Sequence, residues 1–197
     1  MGRACEVIDQ SLAQWMEAQP VFFVATAPLS ASGLVNCSPK GNRDEFVVVG
    51  ERTVAYLEQT GSGIETIAHL RENGRILVMF CAFSGPPRIV RLHGKGRAVL
   101  TDDPSFAALA SRFPRGDGVG VRSIIVIEVS RVADSCGYGV PIMSFEGHRK
   151  TMDQWSTRKG PEGIRDYRAK KNARSIDQLD GIVTTDPHRP GDVLRGG

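Results

Sequence analysis

No stretch of this chain is apolar for long enough to cross a bilayer. The longest runs, such as Ile76–Phe83 and Ile124–Val129, fall far short of the roughly 20 residues a spanning helix needs. Residues 1–20 alternate polar and apolar side chains and lack the uninterrupted apolar core of a secretory signal, so a cytoplasmic protein is expected. Cysteine is scarce. Cys5, Cys37, Cys81 and Cys136 are too far apart for a zinc knuckle or a redox dithiol, which leaves four reduced, mostly buried thiols as the expectation. His69, His93, His148 and His188 are equally dispersed, and no protein-built metal site is expected. Also missing are a G-x-x-x-x-G-K phosphate loop, a G-x-S-x-G elbow and a paired set of carboxylates for hydrolysis. A chain without an acid, base and nucleophile set favours chemistry done by a bound cofactor.

What the chain does have is short, tightly punctuated β-rich sequence. Val7, Ile8, Leu12, Trp15 and Met16 recur at helical spacing until Pro20, which predicts an amphipathic helix over residues 5–18. Val21–Ala27, Leu34–Ser38, Phe46–Val49 and Thr53–Leu57 read as short strands, with Pro39-Lys40-Gly41 breaking the second. Ser62 and Glu65 have capping-box spacing, so a helix should begin there and stop at Gly74. Ile76–Phe83 and Arg88–Val99 are strong strands, and Gly94 and Gly96 predict a bulge or sharp coiling in the second. A short helix over Asp103–Arg112 and a strand over Ser123–Val132 follow. Residues 21–58 hold several strands with no helix between them. That excludes a regular strand–helix alternation and predicts a small antiparallel barrel with helical caps, a β-rich α+β fold.

Past Ala133 the character changes. Residues 135–141 are irregular and glycine-rich, and 148–171 predict one or two charged helices anchored by Met152, Trp155, Ile164 and Tyr167. The organisation expected is an N-terminal helix over 1–20, the barrel over 21–134, a glycine-rich segment and basic arm over 135–182, and a flexible tail over 183–197. Charge follows that division. Residues 1–147 carry 14 Lys and Arg against 15 Asp and Glu, whereas 148–175 carry 9 against 3. A concentrated basic segment attracts phosphates or polyanions, although the commoner reason for one is a solvated helical face. Trp155 and Tyr167 could stack on bases, but no RNA- or DNA-binding motif accompanies the charge, so nucleic acid is not the expected partner.

Three loops have compositions suited to a ligand. Residues Asn36 to Gly41 offer a carboxamide, a hydroxyl and an ammonium, with Gly41 permitting close approach. Thr60-Gly61-Ser62-Gly63 precedes a helix start, where unpaired N–H groups and the helix dipole favour an anion. Each also fits a plain structural role. Arg88 and Arg91 lie three positions apart, hence on opposite sheet faces, so only one can face the same site.

The order of three segments, "FFVATAPLSASGLVNCSPKG", "TVAYLEQTGSGIETIAHLRENGRILVMF" and "PPRIVRLHGKGRAV", resembles the pyridoxamine phosphate oxidase-related, FMN-binding split-barrel proteins. The likeness extends to the last strand, to "SCGYGVP" and to "KKNARSIDQL". It implies a six-stranded antiparallel split barrel that forms a homodimer, with FMN in clefts between the subunits. Carried over by position, Ser38, Lys40, Gly41, Thr60, Ser62, Gly63 and Thr66 are the implied FMN contacts, and Arg88 or Arg91 would reach the phosphate or the ring. The implied activity is that of a flavin-dependent oxidoreductase acting on a small molecule, rather than the vitamin-B6 oxidase itself. Lys40 near the pyrimidine edge would stabilise the anionic reduced ring by about 1–3 kcal/mol.

The chain departs from the oxidases at two places. Val35 stands where they carry an arginine, and Glu65-Thr66 where they carry the Arg-Lys pair that holds the flavin phosphate. Three readings stay open: phosphate binding by other cations, a different cofactor such as a deazaflavin or haem, or a barrel without a ligand. The first is favoured because Lys40, the arginine strand and the helix dipole remain. The rival class is a non-catalytic protein that stores or senses flavin or haem.

Overall fold

The computed structural model describes residues 3–5 and 7–182, so His188 and the tail expected over 183–197 lie outside the described residues. Eight strands form one antiparallel sheet: β1 Arg3–Cys5, β2 Val21–Thr26, β3 Asn36–Gly41, β4 Phe46–Gly50, β5 Thr53–Gln59, β6 Arg75–Cys81, β7 Ile89–Leu100 and β8 Val121–Ser135. Their order is β3-β2-β6-β7-β8-β5-β4, with β1 paired to β8 as well. The two edge strands, β3 and β4, are separated in the chain by only residues 42–45. The sheet must therefore curl until its edges approach, leaving a barrel split between them. Seven strands lie on the main path, one more than the six implied by resemblance.

Alternation builds the interior. Phe22 and Val24 of β2, Ile76, Val78 and Phe80 of β6, Val90 and Leu92 of β7, and Ile125 and Ile127 of β8 point inward and are buried. Phe22, Phe46, Tyr56 and Phe80 form the centre, with ring centroids 4.9–5.6 Å apart in tilted and edge-to-face pairs. Such pairs contribute about 0.5–1.5 kcal/mol each beyond the area they bury. Helix α1, Gln10–Glu17, covers one side with Leu12 and Met16, and α2, Glu65–Glu72, buries Ile67 and Leu70.

Several elements differ from expectation for identifiable reasons. The N-terminal helix begins at Gln10 rather than residue 5, because Asp9 caps it by accepting from the Leu12 N–H at 2.8 Å and Arg3–Cys5 pair with β8 instead. Strand β3 runs through Pro39, which sits opposite Phe23. An edge strand has one side unpaired, so a residue without an N–H is accommodated there. The Ser62–Glu65 capping box does not form. Ile64 is the N-cap of α2, and no side chain caps it. Gly74 does stop the helix, at φ 71°.

The predicted bulge falls between His93 and Gly94. A Cβ on Gly94 would stand 2.2 Å from the Glu128 carbonyl oxygen, so only glycine permits that approach. The expected helix over Asp103–Arg112 is confined to α3, Phe106–Ala110. Beyond β8 the chain has no regular structure until α4, Thr151–Lys171, which breaks at Gly160 (φ 66°) before Pro161. Among the described residues no helix is long and apolar enough to cross a membrane. Of the three cysteines whose side chains are described, Cys81 is buried. Cys37 and Cys136 are exposed free cysteines.

Candidate functional site

Period-two alternation sends Asn36, Ser38 and Lys40 to one face of β3 while Cys37, Pro39 and Gly41 are exposed. That inner face forms one wall of a cavity of about 760 Å³. The end of β5 contributes Leu57, Glu58 and Gln59, the next loop Gly61, Ser62 and Gly63, and α2 its first residues Glu65 and Thr66. Arg122 enters from β8, and the rim is closed by Gly147, His148 and Arg149 of the segment before α4 and by Met152 of α4 itself. Pockets for small ligands span about 300–1,000 Å³, so the cavity is ligand-sized.

Six of the sequence-predicted residues meet on this wall: Ser38, Lys40, Gly41, Ser62, Gly63 and Thr66. Three do not. Thr60 is fully buried behind the loop, where its hydroxyl donates to the Gly120 carbonyl at 2.8 Å and accepts from Arg168 Nε at 2.9 Å. Arg88 forks onto Asp134, with Nη2 2.6 Å from the carboxylate, and its guanidinium lies 4.8 Å from the Trp15 ring centroid. Arg91 Nη1 donates to Ser135 Oγ at 3.1 Å. Both arginines therefore join the start of β7 to the end of β8, away from this cavity. Neither is on its lining.

The electrostatic centre is a group the sequence did not reveal. Glu58 Oε1 accepts from Lys40 Nζ at 2.9 Å and from Arg122 Nη2 at 2.8 Å. Burial pushes the Glu58 carboxyl up, but Lys40 and Arg122 outweigh it and hold the group below the usual carboxylate range. Arg122 reaches this position because β5 and β8 slip register between Glu58 and Gln59. Ser123 lies opposite Glu58 and Val121 opposite Gln59, so Arg122 is the extra residue of a bulge, re-aimed toward the carboxylate. Asn172, beyond α4, accepts from Arg122 Nη1 at 3.1 Å and donates to the Gly61 carbonyl at 2.9 Å. Arg168 lies close by; burial and the like charge of Arg122 lower its pKa to about 10. The arm thus folds back onto the cavity's support.

A second network backs the β3 wall. Asn36 Nδ2 donates to Thr26 Oγ1 at 3.1 Å and to Thr66 Oγ1 at 3.2 Å, and its Oδ1 accepts from Ser38 Oγ at 3.0 Å. Thr26 Oγ1 lies 2.9 Å from Nδ1 of the buried His69. The direction of that bond follows the ring's tautomer, since the hydroxyl can accept from Asn36 and still either donate to Nδ1 or accept from it. Burial lowers the His69 pKa, with Asp177, Glu65 and Glu72 partly opposing it, so the ring is held neutral.

The Glu65 carboxylate is held by the arm. A Cβ built on Gly63 would stand 2.6 Å from one Glu65 carboxylate oxygen, and the other accepts from the Ile176 N–H at 3.3 Å. The carboxylate therefore folds across Gly63 toward the arm. Two buried polar atoms of cavity-lining residues, Glu58 Oε2 and Arg122 Nε, have no hydrogen-bond partner. The hydroxyl, carboxamide and ammonium groups on the lining fit a polar ligand rather than an apolar one. Among the described residues no cluster of His, Cys, Asp and Glu could hold a metal.

Fold and cavity together define an antiparallel split-barrel protein built around a polar, ligand-sized cleft. The chain belongs to the pyridoxamine 5'-phosphate oxidase family, whose sequence profile matches residues 8–136. It is 36% identical over 193 residues to the pyridoxamine 5'-phosphate oxidase family protein ustO of Aspergillus flavus, covering 90% of this chain and 76% of that one. Among solved structures, a histidine-to-alanine variant of HupZ from Group A Streptococcus superposes with a TM-score of 0.52 at 23% identity, over 65% of this chain and 99% of that one. That likeness is one of fold. The FAD binding protein from Mycobacterium smegmatis is more distant, with a TM-score of 0.44 at 15% identity over 66% of this chain and 97% of that one.

Proposed function

We propose that the cavity between β3, β5 and the start of α2 holds FMN, and that the protein is a cytoplasmic flavin-dependent oxidoreductase acting on a small molecule as a homodimer. The observation that supports this best is a convergence. In a chain of this family, the loops at 36–41 and 61–63 meet Glu58 and Arg122 around one ligand-sized cavity lined by hydroxyl, carboxamide and ammonium groups. Those groups match a ring and chain that offer N–H and O–H donors beside oxygen and nitrogen acceptors.

When bound, the flavin supplies hydride or electron transfer. The protein's share is position and charge. Lys40 and Arg122 share one carboxylate, so the group keeps a single net positive charge that is fixed in place. Preorganised charge of that kind needs no reorganisation when negative charge develops nearby. The Asn36 network orients the Ser38 and Thr66 hydroxyls. Leu57, Val21 and Met152 supply apolar wall. Among the described residues, Arg149 is a wall cation with no carboxylate partner, and it takes the part that the Arg-Lys pair plays in the oxidases.

The homodimer reading draws support from surface composition. Tyr138, Ile142, Met143 and Phe145 are exposed along one irregular segment, Ile142 at 89%. A contiguous apolar run of this kind is characteristic of an interface.

The test is the absorbance spectrum of the purified protein with the mass of any ligand that copurifies. The expected result is the paired yellow flavin bands and the mass of FMN, followed by bleaching under anaerobic reduction with a nicotinamide donor. A sharp Soret band would replace flavin by haem. Colourless protein that takes up no added FMN would overturn the proposal.

A further inference from the structure

Two buried glutamates line the cavity of β3, β5 and α2, and their surroundings are opposite. Glu58 sits between two cations. Glu45 is just as hidden, at 5% exposure, yet both groups that bond to it are neutral. Asn42 Nδ2 donates to its Oε1 at 3.1 Å, and Gln59 Nε2 donates to the same oxygen at 2.9 Å. No ion pair engages Glu45 among the described residues, and Arg115, whose charge it feels, is tied to Asp153. Asn42, Glu45 and Gln59 are all on the cavity lining.

The fold holds this acid firmly. Glu45 ends a short 3-10 turn, Arg43–Glu45, that joins β3 to β4. Phe46, the next residue, is locked in the aromatic centre against Phe22 and Phe80. On the other side, Asn42 holds φ 68° and ψ 121°, a conformation that residues with a side chain rarely adopt. Backbone strain of this kind collects at functional sites. Here it accompanies a carboxamide bonded to Glu45 and a backbone N–H that donates to His148 Nδ1 at 3.3 Å.

A carboxylate buried without a cation is costly, and such a group takes up a proton instead. Burial accordingly pushes the Glu45 carboxyl up; Asn42, Gln59 and Arg115 partly oppose the rise and Asp153 adds to it. The bonding suits the neutral form. Oε1, which receives both carboxamides, serves as the carbonyl oxygen, and Oε2 carries the proton. The other titratable groups on the wall are Lys40 and Arg122, both held by Glu58, then Glu65, which turns to Ile176, and His148 and Arg149 at the rim. Asp44, beside Glu45 in the chain, is exposed. Two carboxyls of one cleft whose surroundings drive them apart divide acid–base work between them. Glu58 stays an anion, which leaves Glu45 as the proton donor.

We propose that Glu45 is the general acid of this cleft and that the substrate is a neutral α,β-unsaturated carbonyl compound. The proposal rests on the flavin reading. A hydride from the reduced cofactor, which is thereby oxidised, forms a C–H bond at the β-carbon. The carbon–carbon π electrons shift toward the carbonyl, its oxygen takes up the displaced pair, and the Glu45 proton closes an O–H bond there. The resulting enol tautomerises to the saturated ketone, and Glu45, left as a carboxylate, regains a proton from solvent. An uncharged acceptor of this class is one that needs an acid as well as an electron pair, and the fixed positive charge of Lys40 and Arg122 favours the same oxygen as it turns negative.

The test joins a spectroscopic readout to a kinetic one. In flavin-free protein the infrared carbonyl band of a protonated carboxyl is expected at pH values above 4.5, and it should vanish in Glu45→Gln. FMN-saturated protein, reduced anaerobically with dithionite, is then mixed with cyclohexenone and the return of yellow absorbance followed against pH. In wild type the rate should fall about tenfold per pH unit once the acid is ionised. Glu45→Gln should be about a hundredfold slower at neutral pH with a flat profile, while Glu45→Asp keeps the pH dependence. FMN uptake by the same proteins separates the two failures. Wild type that takes up no FMN ends the flavin reading and the donor role with it. FMN uptake without the infrared band, without return of colour, or with the same pH profile in Glu45→Gln overturns the role of Glu45 alone.

Discussion

A carboxylate buried between two cations, as Glu58 is between Lys40 and Arg122, ties stability to pH. Its folded pKa lies below the ordinary value of 4.5, so below that pH the unfolded chain takes up a proton more readily than the folded one. The stabilisation is present above pH 4.5 and is lost as pH falls through the folded value. Melting curves against pH should show a steep loss below about 4.5 in the wild type and a flatter one in Glu58→Gln. That variant should also be less stable at neutral pH by about 3 kcal/mol, since it leaves two cations without a counter-charge.

His69 adds a dependence at higher pH. Its lowered pKa means that the unfolded state binds more protons from 6.5 downward, so its contribution falls as pH drops below 6.5. Nitrogen NMR should find it mostly neutral at pH 6.5. A titration centred at the ordinary value of 6.5 would contradict its burial. Of these residues, Lys40 and Ser38 stood out in the sequence because a strand end rich in polar side chains is a local pattern. Glu58, Arg122 and Asn172 meet only through a bulge and a returning arm, so nothing near them in the sequence marks them.

Among the elements, most strands were legible because their alternation is the direct mark of a half-buried sheet. Errors fell where local and tertiary signals compete. Pro39 reads locally as a breaker, yet β3 is an edge and admits it. Ser62 and Glu65 have capping spacing, yet Glu65 turns to Ile176. The Gly94 bulge was legible because glycine is the residue that tolerates it. Gly94→Ala should therefore cost about 1–3 kcal/mol, as overpacking against a rigid neighbour does, measurable by urea unfolding. The arm is held by longer-range contacts. Asn172→Ala removes its bonds to Arg122 and Gly61, so it should destabilise by about 1–3 kcal/mol. It should also raise hydrogen exchange at Gly61 and across the last turns of α4. Unchanged exchange there would separate the arm from the cavity.

For the molecule as a whole, the barrel class followed from strands without intervening helices, whereas the split and the cavity within it depend on where the sheet's two edges meet. The exposed apolar segment around Ile142 belongs to this scale. Sedimentation should find a homodimer, and Ile142→Asp with Phe145→Asp should shift it toward monomer. A wild-type monomer at every concentration would contradict that reading.

An equilibrium titration of flavin-free protein with FMN, followed by quenching of flavin fluorescence, bears most directly on what the cavity is for. One FMN per chain is predicted, with Lys40→Ala binding about tenfold more weakly, a loss of about 1.4 kcal/mol. Folded wild-type protein showing no saturable uptake would remove flavin from the cavity.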